Sequence, residues 1–247
     1  MSFLTIENAC FSYGEEPVVD RIDWRIEQGE FHCLVGRSGC GKTTLLKVAA
    51  GLLPPSDGSI RIQGTQIREP SALVGFVFQT PNLLEWLPVL DNILLPLSLH
   101  RTIAPSDRDR AKDLLALVGL GGLDGRYPNE LSGGQQSRVA IARGLITDPL
   151  ILLMDEPFAA LDAMTREDLQ DDLLALCATK KTTALFVTHD IAEAVYLADR
   201  VAVMEAGRIR DALTVALPRP RAADIRYSPE FSALCREARL AMDGLAA

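Results

Sequence analysis

The chain has 247 residues, of which 48% are hydrophobic and 23% charged, and 25 Lys and Arg against 33 Asp and Glu leave a formal net charge of −8. A chain of this length and apolar content buries a large core, which excludes intrinsic disorder. The negative balance disfavours nucleic acid as a partner, because nucleic-acid binding needs a strongly cationic surface.

Membrane-spanning, secreted and disulfide-rich classes are also disfavoured. The most apolar stretch, Leu83 to Leu99, is interrupted by Glu, Pro, Asp and Asn, and a span needs about 18 uninterrupted apolar residues. The N-terminal residues show neither the basic nor the apolar region of a secretory signal. The 5 cysteines are odd in number and never spaced as C-x-x-C, against a disulfide framework or a zinc site. We therefore expect a cytosolic protein.

Turn signals divide the chain into short segments. Residues 3–30 and 58–67 predict short strands of an antiparallel accessory sheet, and the stretch from about 85 to 130 shows helices and loops without a strand. The predicted core strands are 31–35, 73–78, 151–154 and 183–187, and the predicted helices are 43–53, 135–145, 167–176 and 229–242. Alternating strands and helices indicate a largely parallel sheet covered by helices.

Two domain boundaries follow from these patterns. An inserted helical lobe is expected at about 85–145. The run Pro218-Arg219-Pro220-Arg221 breaks the chain, so we expect one domain over 1–217 and a C-terminal extension over 218–247.

A phosphate-binding loop is predicted between the first core strand and the helix that follows. The pattern G-x-x-x-x-G-K-[ST] is matched by Gly36-Arg37-Ser38-Gly39-Cys40-Gly41-Lys42-Thr43. Its backbone N–H groups and the helix N-terminus can surround phosphate oxygens. Lys42 is placed to reach the β- and γ-phosphates, and the Thr43 hydroxyl to ligate Mg²⁺. The competing interpretation is an ordinary glycine turn before a helix.

Two acids follow the apolar run of residues 150–154. Ligands of open α/β sheets bind at the carboxyl ends of strands, which predicts Asp155 as a Mg²⁺ ligand. Adjacent residues of an extended chain point to opposite sides, so Glu156 is expected to face an attacking water and to orient it or take its proton. The alternative is a strand that simply ends in acids at solvent.

A further helix start carries two unusual glycines. Ser132 is a good N-cap and Gln135, three residues later, completes a capping-box pattern. Gly133 and Gly134 destabilise a helix, and their expected use is close backbone approach to an anion. A capped helix that tolerates both glycines is the simpler alternative.

In combination these segments resemble the ATP-binding cassette (ABC) ATPases over nearly the whole chain. The matching motifs, in family order, are Walker A (Gly36–Thr43, then Thr44), the Q-loop Gln79, the signature Leu131–Gln135, Walker B ending at Asp155, the D-loop Asp162 and the switch His189. The resemblance implies an α/β fold: a P-loop ABC ATPase with a RecA-like parallel-sheet core, an antiparallel β accessory sheet and an inserted α-helical subdomain.

The resemblance also implies how the residues act. Two copies of the chain would pair head to tail with two ATP molecules, and Mg²⁺, between them. Ser132 and Gly134 would contact the γ-phosphate bound by the partner, and Asp162 would tie the two sites together. The remaining roles are a catalytic carboxylate for Glu156, a γ-phosphate contact for His189, a contact to Mg²⁺ and water for Gln79, and adenine stacking for Tyr13. For Tyr13 the rival interpretation is a core tyrosine of the accessory sheet.

Residues 78–93, 155–162 and 217–221 most resemble the nitrate/sulfonate/taurine group of bacterial importers. That group implies a peripheral subunit on the cytoplasmic face of the membrane, an integral membrane permease and, indirectly, an extracytoplasmic solute-binding protein. Glu85 stands where the group usually has proline, and Trp86 is the expected permease contact. The rivals are a soluble ABC ATPase that acts on nucleic acid, ribosomes or protein complexes, and a small-molecule kinase, which should lack the signature.

Overall fold

Strands and helices alternate through most of the chain, and the computed structural model describes residues 3–244. These residues divide into two units, residues 3–71 with 181–244 and residues 72–180. Within the described range no helix is both long and apolar enough to cross a membrane.

The strands are β1 (Leu4–Ser12), β2 (Pro17–Ile26), β3 (Phe31–Gly36), β4 (Asp57–Ile62), β5 (Thr65–Gln66), β6 (Val74–Val77), β7 (Ile151–Asp155), β8 (Thr183–Thr188), β9 (Arg200–Glu205) and β10 (Arg208–Thr214). The α-helices are α1 (Lys42–Ala49), α2 (Val89–Ser98), α3 (Pro105–Leu117), α4 (Gly133–Leu145), α5 (Ala163–Lys180), α6 (Ile191–Leu197) and α7 (Pro229–Asp243), and short 3₁₀ helices lie at Pro128–Glu130 and Ala223–Tyr227.

The first unit contains the expected accessory sheet, in the order β2-β1-β4-β5 and antiparallel throughout. Ile22, Trp24 and Ile26 of β2 are buried, whereas the residues between them are exposed. This alternation has the period of two that a sheet with one covered face requires.

A second sheet in the same unit supplies the parallel core. β3 lies between β8 and β9 and pairs with both in parallel, and β10 extends the sheet by antiparallel pairing with β9. All six residues of β3 and all six of β8 are buried. Such continuous burial is typical of parallel strands covered on both faces.

The second unit places helices around a parallel strand pair. β6 and β7 pair in parallel, and α4 packs against β6 as well as α2, α3 and α5. The approach of α4 to β6 depends on Gly75, because a Cβ there would lie 2.3 Å from the carbonyl oxygen of Gly144. The prediction that residues 85–130 contain no strand is confirmed.

The prediction of the first helix, over residues 43–53, is wrong at its C-terminal end. The helix α1 stops at Ala49 rather than at Leu53, because Gly51 adopts a left-handed φ of 71°. The N–H groups of Gly51 and Leu52 donate to the carbonyls of Val48 and Lys47 at 3.1 and 2.9 Å, which satisfies the end of the helix before the prolines are reached.

A buried polar cluster links the accessory sheet to β3. The indole Nε1 of Trp24 donates to His32 Nδ1 at 3.1 Å, and His32 Nε2 lies 2.8 Å from Glu30 Oε2. Burial lowers the pKa of His32, against the opposing effect of Glu30. Because Nδ1 accepts the indole proton, Nε2 carries the ring proton and His32 is neutral.

This cluster predicts a pH-dependent free energy of unfolding. Below about pH 6.5 the unfolded chain binds a proton at His32 that the folded chain resists, so stability falls as the pH drops from 7 to 5.5. Trp24→Phe frees Nδ1 to accept that proton, so the loss should shrink. Urea denaturation of both proteins at pH 7.0 and 5.5 measures the difference. An equal loss in both would contradict this role for the indole hydrogen bond.

Candidate active site

The phosphate-binding loop joins β3 to α1, as predicted. A Cβ at Gly36 would lie 2.4 Å from the carbonyl oxygen of Met204, and one at Gly41 would lie 2.4 Å from that of Val18. Gly41 also adopts a φ of 107°. Both positions therefore require glycine, because a side chain would collide with backbone.

The loop is held around the ammonium group of Lys42. Lys42 is 6% exposed, and its Nζ donates to the carbonyl oxygens of Gly36 at 2.8 Å and Arg37 at 3.1 Å. Thr43 is exposed at the first turn of α1, whereas Thr44 is buried. Of the remaining loop residues, Arg37, Ser38 and Gly39 are exposed and Cys40 is partly buried. The loop thus presents its outer residues to solvent above a buried cation.

His189 leaves the sheet at the same edge as this loop. Val35 of β3 is in register with Thr188 of β8, so Gly36, the last residue of β3, and His189, the first residue after β8, lie at the carboxyl ends of adjacent parallel strands. His189 is exposed. This is the edge at which α/β sheets bind ligands.

Tyr13 lies between β1 and β2 and is 65% exposed. Its ring meets Phe11 edge-on, with the ring centroids 4.9 Å apart. This exposure excludes the alternative of a core tyrosine and leaves a flat ring available to a ligand.

In the second unit, Gln79 and the two acids lie at the carboxyl ends of adjacent parallel strands. Val77 is in register with Met154, so Gln79 and Glu156 each stand two residues beyond a paired position. Asp155 is 5% exposed, Glu156 is partly buried and Gln79 is exposed. The strand pairing therefore brings these three residues to one edge of β6 and β7.

The extended backbone assumed for Glu156 is wrong. Glu156 has a φ of 43°, a left-handed conformation that is uncommon outside glycine. Its carbonyl oxygen accepts the N–H of Ala159 at 3.1 Å, so a tight turn begins at once after Asp155. The turn, rather than strand alternation, sets the direction of the Glu156 side chain.

The capping box at the start of α4 is confirmed. Ser132 N–H donates to Gln135 Oε1 at 2.9 Å, and Gln135 N–H donates to Ser132 Oγ at 3.3 Å. Gly134 also has a packing role that the sequence did not indicate, because a Cβ there would lie 2.6 Å from Thr165 Cγ2. At Gly133 the nearest atom would be 3.8 Å away, an ordinary contact with Leu161.

Asp162 precedes α5 and caps it. Its Oδ1 accepts the N–H of Thr165 at 3.0 Å, and this hydrogen bond lowers the pKa of the carboxyl. The carboxylate is exposed, so it remains available to a partner while it caps the N-terminus of the helix.

Two residues that the motifs do not include position neighbouring segments. Arg143 of α4 donates to the carbonyl oxygens of Pro81 and of Asn82, the latter at 2.8 Å, just beyond Gln79. Asn92 is fully buried and accepts the N–H of Leu84 at 2.7 Å while donating to the carbonyl of Leu87 at 2.9 Å. These hydrogen bonds brace residues 84–87 against α2. The only sequence signal for this brace is an asparagine within a mostly apolar stretch.

Three comparisons describe what the chain is similar to. The family model for ABC transporters matches residues 19–159. The aliphatic sulfonates import ATP-binding protein SsuB of Bacillus cereus is 47% identical over 210 residues, covering 84% of this chain and 82% of that protein. An uncharacterized ABC transporter ATP-binding protein of Methanocaldococcus jannaschii is 46% identical over 225 residues, covering 88% and 84%.

Among solved structures, a dimeric ATP-binding cassette in a post-hydrolysis state bound to ADP and Pi is similar, with a TM-score of 0.76 and 31% identity. The match covers 87% of this chain and 100% of that one. The expected combination of parallel core, antiparallel sheet and helices is thereby confirmed.

The contact at Gly134 predicts a stability difference between the two signature glycines. Gly134→Ala forces a methyl group against Thr165 and should lower the free energy of unfolding by about 1–3 kcal/mol. Gly133→Ala has room and should change it by less than about 1 kcal/mol, in either direction. Urea denaturation compares the two variants. Thr165→Ser removes the opposing methyl and should restore most of the loss in the Gly134→Ala background, whereas no restoration would contradict the packing role.

Proposed function

The chain belongs to the ABC transporter family, and from that premise we propose that it is the ATP-hydrolysing subunit that drives solute import through a separate membrane permease. The observation that carries this proposal is the 47% identity to an aliphatic sulfonates import ATP-binding protein over most of both chains. The motif residues support this proposal, because each lies at a strand end or helix start, where α/β proteins bind phosphate groups.

The phosphate-binding loop fits a nucleoside triphosphate. Residues 37–39 are exposed above Lys42, and apart from residues 38–40 no atom of the described chain lies within 4 Å of a Cβ built at Gly39, so phosphate oxygens have room to approach the backbone. We propose that Lys42 exchanges its carbonyl contacts for the β- and γ-phosphates. Arg37, Ser38, Gly39, Cys40, Gly41 and Thr44 would line the phosphates, and Tyr13 would stack on adenine.

The donor set also fits Mg²⁺. This ion prefers oxygen ligands and binds phosphates with one or two protein groups, and the exposed Thr43 hydroxyl, the Asp155 carboxylate and the Gln79 amide oxygen are such ligands. When bound, Mg²⁺ neutralises charge that develops on the phosphate oxygens.

Hydrolysis is assigned to Glu156. Its carboxylate would orient a water molecule and accept its proton as the water oxygen attacks the γ-phosphorus. The bond from that phosphorus to the bridging oxygen breaks, and ADP and inorganic phosphate leave. His189 would hold the γ-phosphate by a hydrogen bond during this step.

A second copy of the chain would complete each site. The N-terminal turn of α4 carries the partial positive charge of a helix N-terminus, and Ser132 and Gly133 are exposed there. We propose that residues 132–135 of one copy face the γ-phosphate of the other and that Asp162 joins the two sites. The similarity to a dimeric cassette supports this arrangement.

Glu156→Gln tests the ATP-dependent dimer. The amide cannot accept the proton from water, so ATP turnover should fall by at least about 100-fold, and ATP should remain bound between two copies. Light scattering after size exclusion with Mg-ATP should then show a dimer, whereas Lys42→Ala under the same conditions should stay monomeric. A Glu156→Gln protein that stays monomeric at high concentration would count against the sandwich.

The permease is proposed to dock at residues 84–87, the segment braced by Asn92. The Asn92 side chain is hydrogen-bonded to both ends of this segment, at Leu84 and Leu87, and Trp86 between them is 72% exposed. A cavity of about 650 Å³ is lined by Glu85, Gly122, Gly125, Arg126, Tyr127, Asn129 and Glu130. An exposed tryptophan beside a cavity has the character of an interface anchor.

Trp86→Ala should reduce the membrane-bound share of the chain at least threefold, because the interface loses its largest apolar contact. Cell fractionation with quantification of the tagged chain in the membrane pellet measures this share. Leu99→Ala is the matched control, since Leu99 is 74% exposed on the same unit and outside the braced segment. Equal membrane binding of wild type and Trp86→Ala would contradict docking at this segment.

The solute is proposed to be a small anion of the nitrate, sulfonate and taurine kind, delivered by an extracytoplasmic solute-binding protein. The sulfonate relatives support this choice. The chain would then act on the cytoplasmic face of the cell membrane.

A further inference from the structure

A cavity of about 490 Å³ lies within the first unit, where the loop after β8 faces α7. It is lined by His189, Asp190, Ile191, Ala192, Cys235, Arg236 and Arg239. His189 has a proposed role in ATP hydrolysis, whereas the side of the cavity formed by α7 has none.

Two guanidinium groups dominate the charge of this cavity. Arg236 and Arg239 are three residues apart and so share one face of α7. Among residues 3–244 neither arginine has a hydrogen-bond or ion-pair partner. Asp190 is the one carboxylate in the lining, and its Oδ1 already accepts the N–H of Glu193 at 3.1 Å to cap α6.

Three other arginines of the same unit form ion pairs. Arg208 contacts Asp20, Arg219 contacts Asp199 and Arg210 contacts Glu205. Arg236 and Arg239 differ from these, because they stand together at a cavity with their donors available. Two neighbouring guanidinium groups with free donors fit an oxyanion that offers several oxygens, because each guanidinium can donate two parallel hydrogen bonds.

We propose that this cavity binds a free, doubly charged oxyanion of the phosphate or sulfate class between Arg236, Arg239 and the loop of His189. The bound anion bridges α7 to that loop. The far end of α7 already reaches the phosphate-binding loop, because Arg37 Nη2 donates to Asp243 Oδ1 at 3.4 Å. One helix thereby contacts both loops that flank the carboxyl edge of β3 and β8.

The test follows sulfate binding at individual arginines in the full-length chain. A non-hydrolysable ATP analogue with Mg²⁺ fills the phosphate-binding loop, and sodium sulfate replaces sodium chloride at constant ionic strength. NMR resonances of the arginine Nε–H groups report each side chain. Arg25 is the internal control, since it is exposed on β2 and also has no partner among the described residues.

The proposal predicts saturable shifts of Arg236 and Arg239, with the Arg25 resonance unmoved. Arg236→Gln should reduce the sulfate-induced change in the chemical shift of the Arg239 Nε–H group at least fivefold, and Arg25→Gln should leave that change unaltered. Shifts that rise linearly and equally at all three arginines would mean non-specific ion screening and would overturn the proposal, as would no shift. Sulfate bound at the phosphate-binding loop would move the amides of residues 36–43 instead, so failure of ATP binding remains distinguishable.

Discussion

Parallel strand pairing is the constraint on which the candidate site depends. Because β3 and β8 run parallel and in register, the phosphate-binding loop and His189 must leave the sheet at one edge. The same rule acts on β6 and β7, where it brings Gln79 to the edge occupied by Asp155. Each strand contributes a residue at its carboxyl end, so a few turns of irregular chain carry most of the proposed chemistry.

Close backbone approach is the second requirement, and glycine meets it in two different ways. At Gly36 and Gly41 the obstacle is a carbonyl oxygen 2.4 Å from the absent Cβ, so the loop can only be built with glycine. At Gly134 the obstacle is the methyl group of Thr165 on α5. The signature glycine therefore has a reason to be small within its own chain, in addition to any phosphate that a partner copy presents.

Most elements were predictable because the apolar runs have clear periods and clear stops. The strands at 151–155 and 183–188 and the helix at 229–243 were all expected to within one or two residues. Errors arose where a local conformation outweighs composition. Gly51 ends α1 early through its left-handed φ. The left-handed φ of Glu156 likewise ends β7 at Asp155, whereas the sequence pattern predicts that the strand continues.

Side-chain braces were not predictable, because they join residues far apart in the sequence. Arg143 reaches the carbonyl of Asn82 across 61 positions, and Arg37 reaches Asp243 across 206. Neither pairing leaves a periodic signal in the sequence. The structure was therefore needed to place the segment after Gln79 against α4 and to place α7 against the phosphate-binding loop. The motifs alone identified the chemical groups of the site.

We propose that the chain uses ATP hydrolysis to drive a membrane permease. The most direct test is purification of the tagged chain from its own cell membranes in mild detergent, with identification of whatever is recovered in equal amounts. We expect a protein with several membrane-spanning segments, recovered in a one-to-one ratio with the chain. Recovery of only ribosomes, nucleic acid or soluble partners would contradict the importer assignment and favour a soluble ABC ATPase.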